Sequence, residues 1–245
     1  MNPGFSERTF EFCFNAEFCQ MLGGILASHP HIPSQQMEKD LGYDVEFKIK
    51  QGQFTGSIFI QHKVSSYAEV RAGRNAEFYN THNGPYFRFS LDNEQHNTLC
   101  ALCRTKGNAF YCAPMFHLSH ELEAHFRAQT ISSNSLLLDP LQVGEIKDNN
   151  RHNITYGPNG DMPTLHSKIR RFEKSFRANN KEELPIKRKQ ISTEYLSELS
   201  EELIDRTLES KFRESVTDKV YRMRPIQRAQ FILGRVYHVS WILVP

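Results

Sequence analysis

The stretch that decides the fold is GYDVEFKIKQGQFTGSIFIQHKV, residues 42–64. Its first half alternates apolar and charged side chains, which predicts a strand over residues 43–49 that is buried on one face. Two glycines within residues 51–56 predict a turn. Residues 57–64 are apolar on both faces at their centre, so we expect a strand inside a sheet. The two strands together predict a β-hairpin.

An amphipathic helix is predicted before the hairpin, over residues 6–27. Ser6 is a good helix N-cap, and Phe10, Phe14 and Phe18 recur at helical spacing on one face. We therefore expect this helix to lie against the sheet.

Short strands and helices are predicted to alternate after a loop-rich region. The predicted strands are 86–91, 108–115, 135–138 and 153–156, and the predicted helices are 95–104, 118–128, 165–177, 193–209 and 226–237. This order predicts an α/β core over residues 1–160 and a helical, basic C-terminal region over residues 161–245.

Composition indicates a globular protein that has no membrane span. The chain has 245 residues, 39% of them apolar, and a net charge of +2. No apolar run approaches the ~20 residues that a bilayer requires, and no signal peptide is recognised. The five cysteines lie in apolar stretches, as expected of buried thiols in a reducing, cytoplasmic protein.

Three polar residues of the hairpin suggest metal-dependent chemistry. Asp44 opens the first strand, and Gln61 and Lys63 stand two apart on the second, where they share a face. Hydrolysis of a phosphodiester with a divalent cation requires oxygen ligands, a positioned water and a nearby positive charge. The preceding helix offers Glu11 and Glu17 at the edges of its apolar face, and either could complete the site.

These residues resemble the Gly-x-Asp … Gln-x-Lys signature of the PD-(D/E)XK nuclease superfamily, in the Gln form of Mrr-like restriction endonucleases. The pair Phe10-Glu11 is similar to the Phe-Glu pair on the first helix of that group. The resemblance covers residues 6–65 by motif, and extends to about residue 160 by the order of elements.

The resemblance implies a restriction-endonuclease-like fold, with a mixed-sheet core flanked by helices. It also implies that Asp44, Gln61 and Glu11 hold Mg²⁺ or Mn²⁺, with Glu17 as the other helix carboxylate, and that Lys63 positions the attacking water. Gln61 stands where the acidic form of the motif has Glu, and a neutral amide binds Mg²⁺ less tightly. A helix carboxylate is therefore important to the site.

The expected substrate is DNA rather than RNA, by analogy with the family, and the expected setting is bacterial restriction or anti-phage defence. A protein partner or a homo-oligomer would supply regulation. A basic segment is a candidate for phosphate contacts, through Lys168, Arg170, Arg171, Lys174 and Arg177.

Two other functions stay open. The chain could be a non-catalytic scaffold subunit of a larger defence assembly, in which case the hairpin is structural. It could also be a toxin nuclease directed at RNA. The nuclease hypotheses require the side-chain oxygens of Asp44 and Gln61 to lie within about 4–5 Å of each other on one face.

Other possible motifs favour simpler interpretations. Cys100, Cys103 and Cys112 resemble part of a zinc site, but they lie in apolar segments and are predicted to be buried thiols. His120 and His125 are five apart, so they lack the i, i+4 spacing of a metalloprotease helix. No glycine-rich phosphate loop is present.

Overall fold

The computed structural model divides the chain into two compact units. It describes residues 1–52, 54–71, 73, 76–166, 170–178, 184, 197, 200–201, 203–205 and 218–235. The first unit comprises Met1–Gln51 and Thr55–Lys187, and the second comprises Gly52–Phe54 and Arg188–Pro245. Residues 161–187, which the sequence pattern assigns to the C-terminal region, thus belong to the first unit.

Two five-stranded sheets are present in the described part of the chain. The strands are β1 Val45–Gln51, β2 Phe54–His62, β3 Ser66–Ala68, β4 Tyr86–Leu91, β5 Ala109–Pro114, β6 Ser135–Leu138, β7 His152–Tyr156, β8 Thr164–Leu165, β9 Arg170–Arg171 and β10 Phe176–Arg177. The first sheet has the order β1-β2-β5-β6-β10, and the second has the order β3-β4-β7-β8-β9.

Helices accompany both sheets, so the fold is of the mixed α/β class. The helices are α1 Glu7–Leu22, α2 Gln35–Leu41, α3 Ala76–His82, α4 Asn93–Lys106, α5 Ser119–Ala128, α6 Asp218–Tyr221 and α7 Pro225–Arg235. Among the residues that the structure describes, no helix combines the length and apolarity that crossing a bilayer demands.

Helix α1 covers the sheet as its sequence pattern predicts. The Ser6 hydroxyl accepts a hydrogen bond of 3.1 Å from the Thr9 backbone N–H, which caps the helix. Phe14 and Phe18 are fully buried, and the Phe18 ring lies 4.9 Å from the ring of Phe47 in β1. Helix α1 is thereby held against the first sheet by aromatic contacts.

Strands β2 and β5 are neighbours and run parallel, with Phe59 opposite Ala109. Helix α4 lies between them in the chain, and its Leu99 and Cys103 are buried in the same core cluster as Phe59 and Tyr111. The carboxyl ends of β2 and β5 therefore lie side by side. In open α/β sheets this is the edge at which ligands bind.

The helix predicted over residues 165–177 is wrong, because strands β8, β9 and β10 occupy that segment. Leu165 pairs with both Ile154 and Arg170, and Phe176 pairs with Leu137. Strands β9 and β10 form the outer edges of the two sheets. These tertiary contacts outweigh a weak local helix preference.

The remaining predicted elements of the C-terminal region differ in outcome. The helix predicted over residues 226–237 is confirmed by α7. The helix predicted over residues 193–209 falls mostly outside the described residues.

Three short elements, α2, α3 and β3, lie in stretches that carry no clear periodicity and were not predicted.

Candidate active site

Asp44 immediately precedes β1 and is joined to the end of β2. Gly42 ends α2 with φ +75°, and a Cβ there would come within 2.9 Å of Leu99 N, so the turn requires glycine. The Asp44 side chain is 14% exposed, and its Oδ2 accepts a hydrogen bond of 2.5 Å from the His62 backbone N–H. This bond places the carboxylate beside the residue that separates Gln61 from Lys63.

Gln61 is 1% exposed and lies opposite Tyr111 of β5. Its Nε2 is buried and has no hydrogen-bond partner. A buried polar group without a partner destabilises a fold by about 1–3 kcal/mol, and such groups are uncommon in native proteins. An unsatisfied amide next to the Asp44 bond is therefore one of the features that mark this end of β2 as a candidate site.

Lys63 follows the end of β2, and its backbone N–H donates to Cys112 O at 2.8 Å. Its Nζ donates to Gln95 Oε1 on helix α4, at 3.4 Å. The side chain is half-buried. The lysine thus extends across the carboxyl ends of β2 and β5 towards the beginning of α4, where its charge is available to an anion.

Glu11 of α1 is electrostatically coupled to this site. Burial raises the pKa of the Glu11 carboxyl group, His62 lowers it, and the carboxylates of Asp44, Glu38 and Glu7 raise it further. The net shift is upward mainly because burial disfavours the charged form of the carboxyl group, and the neighbouring carboxylates add to that shift.

Glu38 of α2 is a residue of this cluster that the sequence pattern did not indicate. Burial and then Asp44 raise its pKa, and Lys63 is among the groups that lower it. Its position four residues before Gly42 carries no motif. Only the packing of α2 shows that Glu38 interacts with both Asp44 and Lys63.

Glu17, the other helix carboxylate, has a structural contact instead. Its two carboxylate oxygens accept hydrogen bonds from the backbone N–H groups of Ile131 and Ser132, at 2.8 and 3.0 Å, and one also accepts from the Ser132 hydroxyl. Glu17 thereby holds the loop before β6. Of the two predicted helix ligands, the geometry favours Glu11.

The donor set fits a divalent cation in its chemistry, although it is not a ready-made chelate. Carboxylate and amide oxygens are the ligands that Mg²⁺ and Mn²⁺ take. Within the described residues, however, no three His, Cys, Asp or Glu side chains are already arranged around one metal position. Metal binding would have to draw Glu11 towards Asp44.

The basic segment does not form a helix face. Arg170 and Arg171 are exposed on β9, whereas Lys168 lies outside the described residues. Arg170 donates to Val143 O at 3.0 Å, and Arg177 donates to Asn159 O. The predicted phosphate contacts of this segment, with Lys174 included, stay a prediction.

The cysteines and the segment His117–His125 take part in contacts that stabilise the fold. Cys100, Cys103 and Cys112 are buried thiols, as predicted, and burial raises the pKa of Cys100 to about 12. Burial opposes the shift of Glu121, but hydrogen bonds from the backbone N–H groups of His117 and Leu118 lower its pKa overall. These hydrogen bonds cap the N-terminal end of α5.

No family model matches this chain, and no curated protein or solved structure matches it. The interpretation of the site therefore rests on its geometry and on the sequence motif.

Proposed function

We propose that this protein is a metal-dependent nuclease of the PD-(D/E)XK kind, which hydrolyses phosphodiester bonds and has DNA as its expected substrate. The observation that carries the proposal is the position of Asp44, which is hydrogen-bonded to the His62 backbone N–H at the carboxyl end of β2 and interacts electrostatically with Glu11 and Glu38. Asp44 acts on the pKa values of both Glu11 and Glu38, and Lys63 acts on that of Glu38. Carboxylates and one lysine at a common strand end are what phosphodiester hydrolysis requires.

In this mechanism the oxygens of Asp44, Glu11 and Gln61 would hold Mg²⁺ or Mn²⁺. The bound ion would polarise the phosphate and lower the pKa of the attacking water. Lys63 donates hydrogen bonds from Nζ, so it positions the water and stabilises the negative charge that develops on the phosphate. Its bond to Gln95 Oε1 keeps Nζ directed across the strand ends.

The fold supports the proposal at the level of element order. Helix α1 precedes the β1–β2 pair, and α4 is the last helix in the chain before β5, the parallel neighbour of β2. The polar residues collect where these parallel strands end, which is the ligand-binding edge of such sheets. A role in restriction or anti-phage defence rests on the sequence resemblance alone.

A second candidate is a non-catalytic scaffold subunit. It is favoured by the burial of Gln61, which is 1% exposed and therefore presents little surface to a solvent-borne ion. In that case the carboxylates and Lys63 would be remnants of a site, and the protein would act only through a partner.

The test is cleavage of supercoiled plasmid, single-stranded DNA and RNA, each with Mg²⁺ or Mn²⁺. Wild-type protein is compared with Asp44→Asn and Lys63→Met, and with Lys48→Met as the matched lysine control. Lys48 is exposed on β1, so its loss should leave cleavage unchanged. Circular dichroism and thermal denaturation establish that each variant is folded.

The nuclease proposal predicts cleavage by wild type and Lys48→Met only. Equal cleavage by all four proteins would show that the activity comes from another site or a contaminant, and would reject this site. Cleavage of RNA alone would reassign the substrate and favour the toxin alternative. If no substrate is cut and no divalent ion binds, the scaffold function is the one that stands.

A further inference from the structure

Two histidines and one threonine form a buried bridge between helix α3 and the second sheet. His82, the last residue of α3, has its Nε2 2.8 Å from the Thr155 hydroxyl oxygen on β7. His166, which follows β8, has its Nε2 2.6 Å from the same oxygen. Thr155 is 0% exposed and His82 is 9% exposed. His82 and His166 are called the histidine pair below.

One hydroxyl group can bridge two neutral imidazoles only if the two rings are opposite tautomers. The Thr155 hydroxyl has one proton, so it donates to one Nε2 and accepts from the Nε2–H of the other ring. Within the described part of the chain, the Nδ1 atoms of His82 and His166 are buried and have no hydrogen-bond partner. Neither ring therefore has an acceptor for a second proton.

Protonation of either histidine is unfavourable while the bridge is intact. On the ring that donates to Thr155, an added proton creates a charged N–H at a buried Nδ1 that has no acceptor. On the ring that accepts, an added proton turns Nε2 into a donor, so the hydroxyl loses the bond that it donated. The bridge is thus compatible with the neutral pair and not with the charged pair.

The contacts of α3 with the sheet converge on the histidine pair. His82 is the one buried residue among the seven of this helix. The half-buried ring of Phe78 lies 4.1 Å from the ring of His166, and the His82 ring stacks on Tyr86 of β4 at 5.9 Å. A helix that buries so little apolar surface is expected to open locally before the core does.

The charged groups around the pair do not favour an additional positive charge. Burial lowers the pKa of His82, which Asp161 raises and Arg171 lowers. Burial, followed by the charge of His82, lowers the pKa of His166 to about 4. Arg88 of β4 lies directly opposite the bridging threonine. Among the described residues, one carboxylate and two guanidinium groups thus face the pair.

We propose that α3 is an acid-released cover on the second sheet, which stays closed while the histidine pair is neutral. Protonation of the pair breaks the bridge, detaches α3 and uncovers Thr155. In the sheet register, Thr155 lies on one row with Arg88 and Arg171, so the uncovered surface is polar and positively charged. The apolar core lies on the other face of these strands and stays packed. This inference is independent of the proposed nuclease activity.

The experiment measures local opening of α3 in the full chain by amide hydrogen exchange at pH 7 and pH 5. Protection factors correct for the intrinsic dependence of exchange on pH. Amides of β5, whose residues are all buried, serve as the internal reference. Long-range ¹H–¹⁵N spectra of protein labelled with ¹⁵N-histidine report the tautomer and the titration of each histidine, and they need no variant.

The wild-type histidine pair should show opposite neutral tautomers at pH 7. Protection of α3 should fall by about 20-fold or more at pH 5, since His166 alone gains its proton about 2.5 pKa units more readily in the open state. Protection of β5 should stay unchanged in the same samples.

A double variant tests the pair directly. In His82→Gln/His166→Gln, each amide can still bond with Thr155 but cannot take up a proton, so α3 should stay protected at both pH values. His120→Gln, at an exposed histidine of α5, is the matched control and should behave as wild type.

Four results would overturn the inference. They are equal α3 protection at both pH values, loss of protection in α3 and β5 together, identical tautomers for the two histidines, and a pH-dependent α3 in the folded double variant. If α3 is unprotected in the double variant at pH 7, the wild-type exchange and tautomers decide alone.

Discussion

Two buried polar regions of this protein, one around His62 and one around His96, differ in whether their polar atoms have hydrogen-bond partners. His96 of α4 is 0% exposed like His62, but its Nδ1 bonds with the Tyr111 hydroxyl at 2.9 Å and its Nε2 with Gly144 O at 2.7 Å. Neither ring nitrogen of His62 has a hydrogen-bond partner, although Nδ1 lies 3.6 Å from Asp44 Oδ2. The same residue type, equally buried, is thus satisfied in one place and unsatisfied in the other.

The adjacent amides repeat the contrast. Asn97 donates to Ile146 O at 2.8 Å and accepts from Ile146 N at 2.9 Å, so it clamps the loop before β7. Gln61 has a buried Nε2 without a partner. The His96 region is a completed structural network, whereas the His62 region has buried polar atoms without hydrogen-bond partners, at a cost in stability. Functional sites commonly show this kind of local inconsistency.

The largest effect on the cleavage rate is expected from substitution of Asp44, the carboxylate that is bonded to the end of β2. Asp44→Asn removes a charged ligand, so several kcal/mol of transition-state stabilisation should be lost, about 10²–10³-fold in cleavage rate. Asp139→Asn is the control from the structural region, because Asp139 caps the 3₁₀ turn Pro140–Gln142 and accepts a hydrogen bond from Cys103 Sγ. Single-turnover cleavage with Mn²⁺ measures both, and equal losses would remove the distinction between the regions.

The two histidines should differ strongly in their contribution to stability. His96→Phe leaves the Tyr111 hydroxyl and Gly144 O without their partner, so the free energy of unfolding should fall by about 2–4 kcal/mol. His62→Phe breaks no side-chain hydrogen bond and should change it by less than about 1 kcal/mol. Urea denaturation without added metal measures both. A larger loss for His62→Phe would show that His62 has a structural role.

The amides of Gln61 and Asn97 should differ in the same direction as the two histidines: replacing Gln61 should cost less stability than replacing Asn97. Gln61→Leu removes a buried Nε2 that has no partner, so the free energy of unfolding should be unchanged or rise by about 1 kcal/mol, while metal binding weakens. Asn97→Leu breaks two hydrogen bonds to Ile146 and should lower it by about 1–3 kcal/mol. Matched urea titrations test the pair, and a destabilised Gln61→Leu would mean that its amide is satisfied.

A smaller effect on the free energy of unfolding is expected at acid pH. It comes from buried histidines that form hydrogen bonds within the fold. His166 Nε2 bonds with the Thr155 hydroxyl at 2.6 Å, and burial followed by the charge of His82 lowers the pKa of His166 to about 4. The unfolded value is about 6.5, so the folded state resists protonation. Stability is complete above pH ~6.5 and declines as the pH falls towards about 4.

The expected loss from His166 is about 1–2 kcal/mol, after allowance for solvent screening of a partly exposed ring. Urea denaturation at pH 7, 5.5 and 4.5 should show a weaker pH dependence for His166→Gln than for wild type. The burial of His82 and His96 lowers their pKa values as well, so part of the dependence should persist. Identical profiles for variant and wild type would contradict the assignment.

Local patterns predicted the elements that carry the candidate site. Helix α1 and strands β1 and β2 follow from apolar periodicity, and Asp44, Gln61 and Lys63 were singled out at the strand ends by their spacing and by the resemblance to a nuclease motif. The choice between Glu11 and Glu17 was not accessible in this way, because both stand at edges of one apolar helix face. Their partners decide it, and those partners are distant in sequence: Asp44 and His62 for Glu11, and Ile131 and Ser132 for Glu17.

The sequence by itself determined the amphipathic helix, the two strands and the polar triplet at their ends, since each depends on the period of side chains along one element. Only the tertiary structure placed Thr164–Leu165, Arg170–Arg171 and Phe176–Arg177 in strands, brought Glu38 into electrostatic range of Asp44, and buried His62 without a hydrogen-bond partner for either ring nitrogen. Such features depend on residues far apart in the chain, and local propensity carries no information about those pairings.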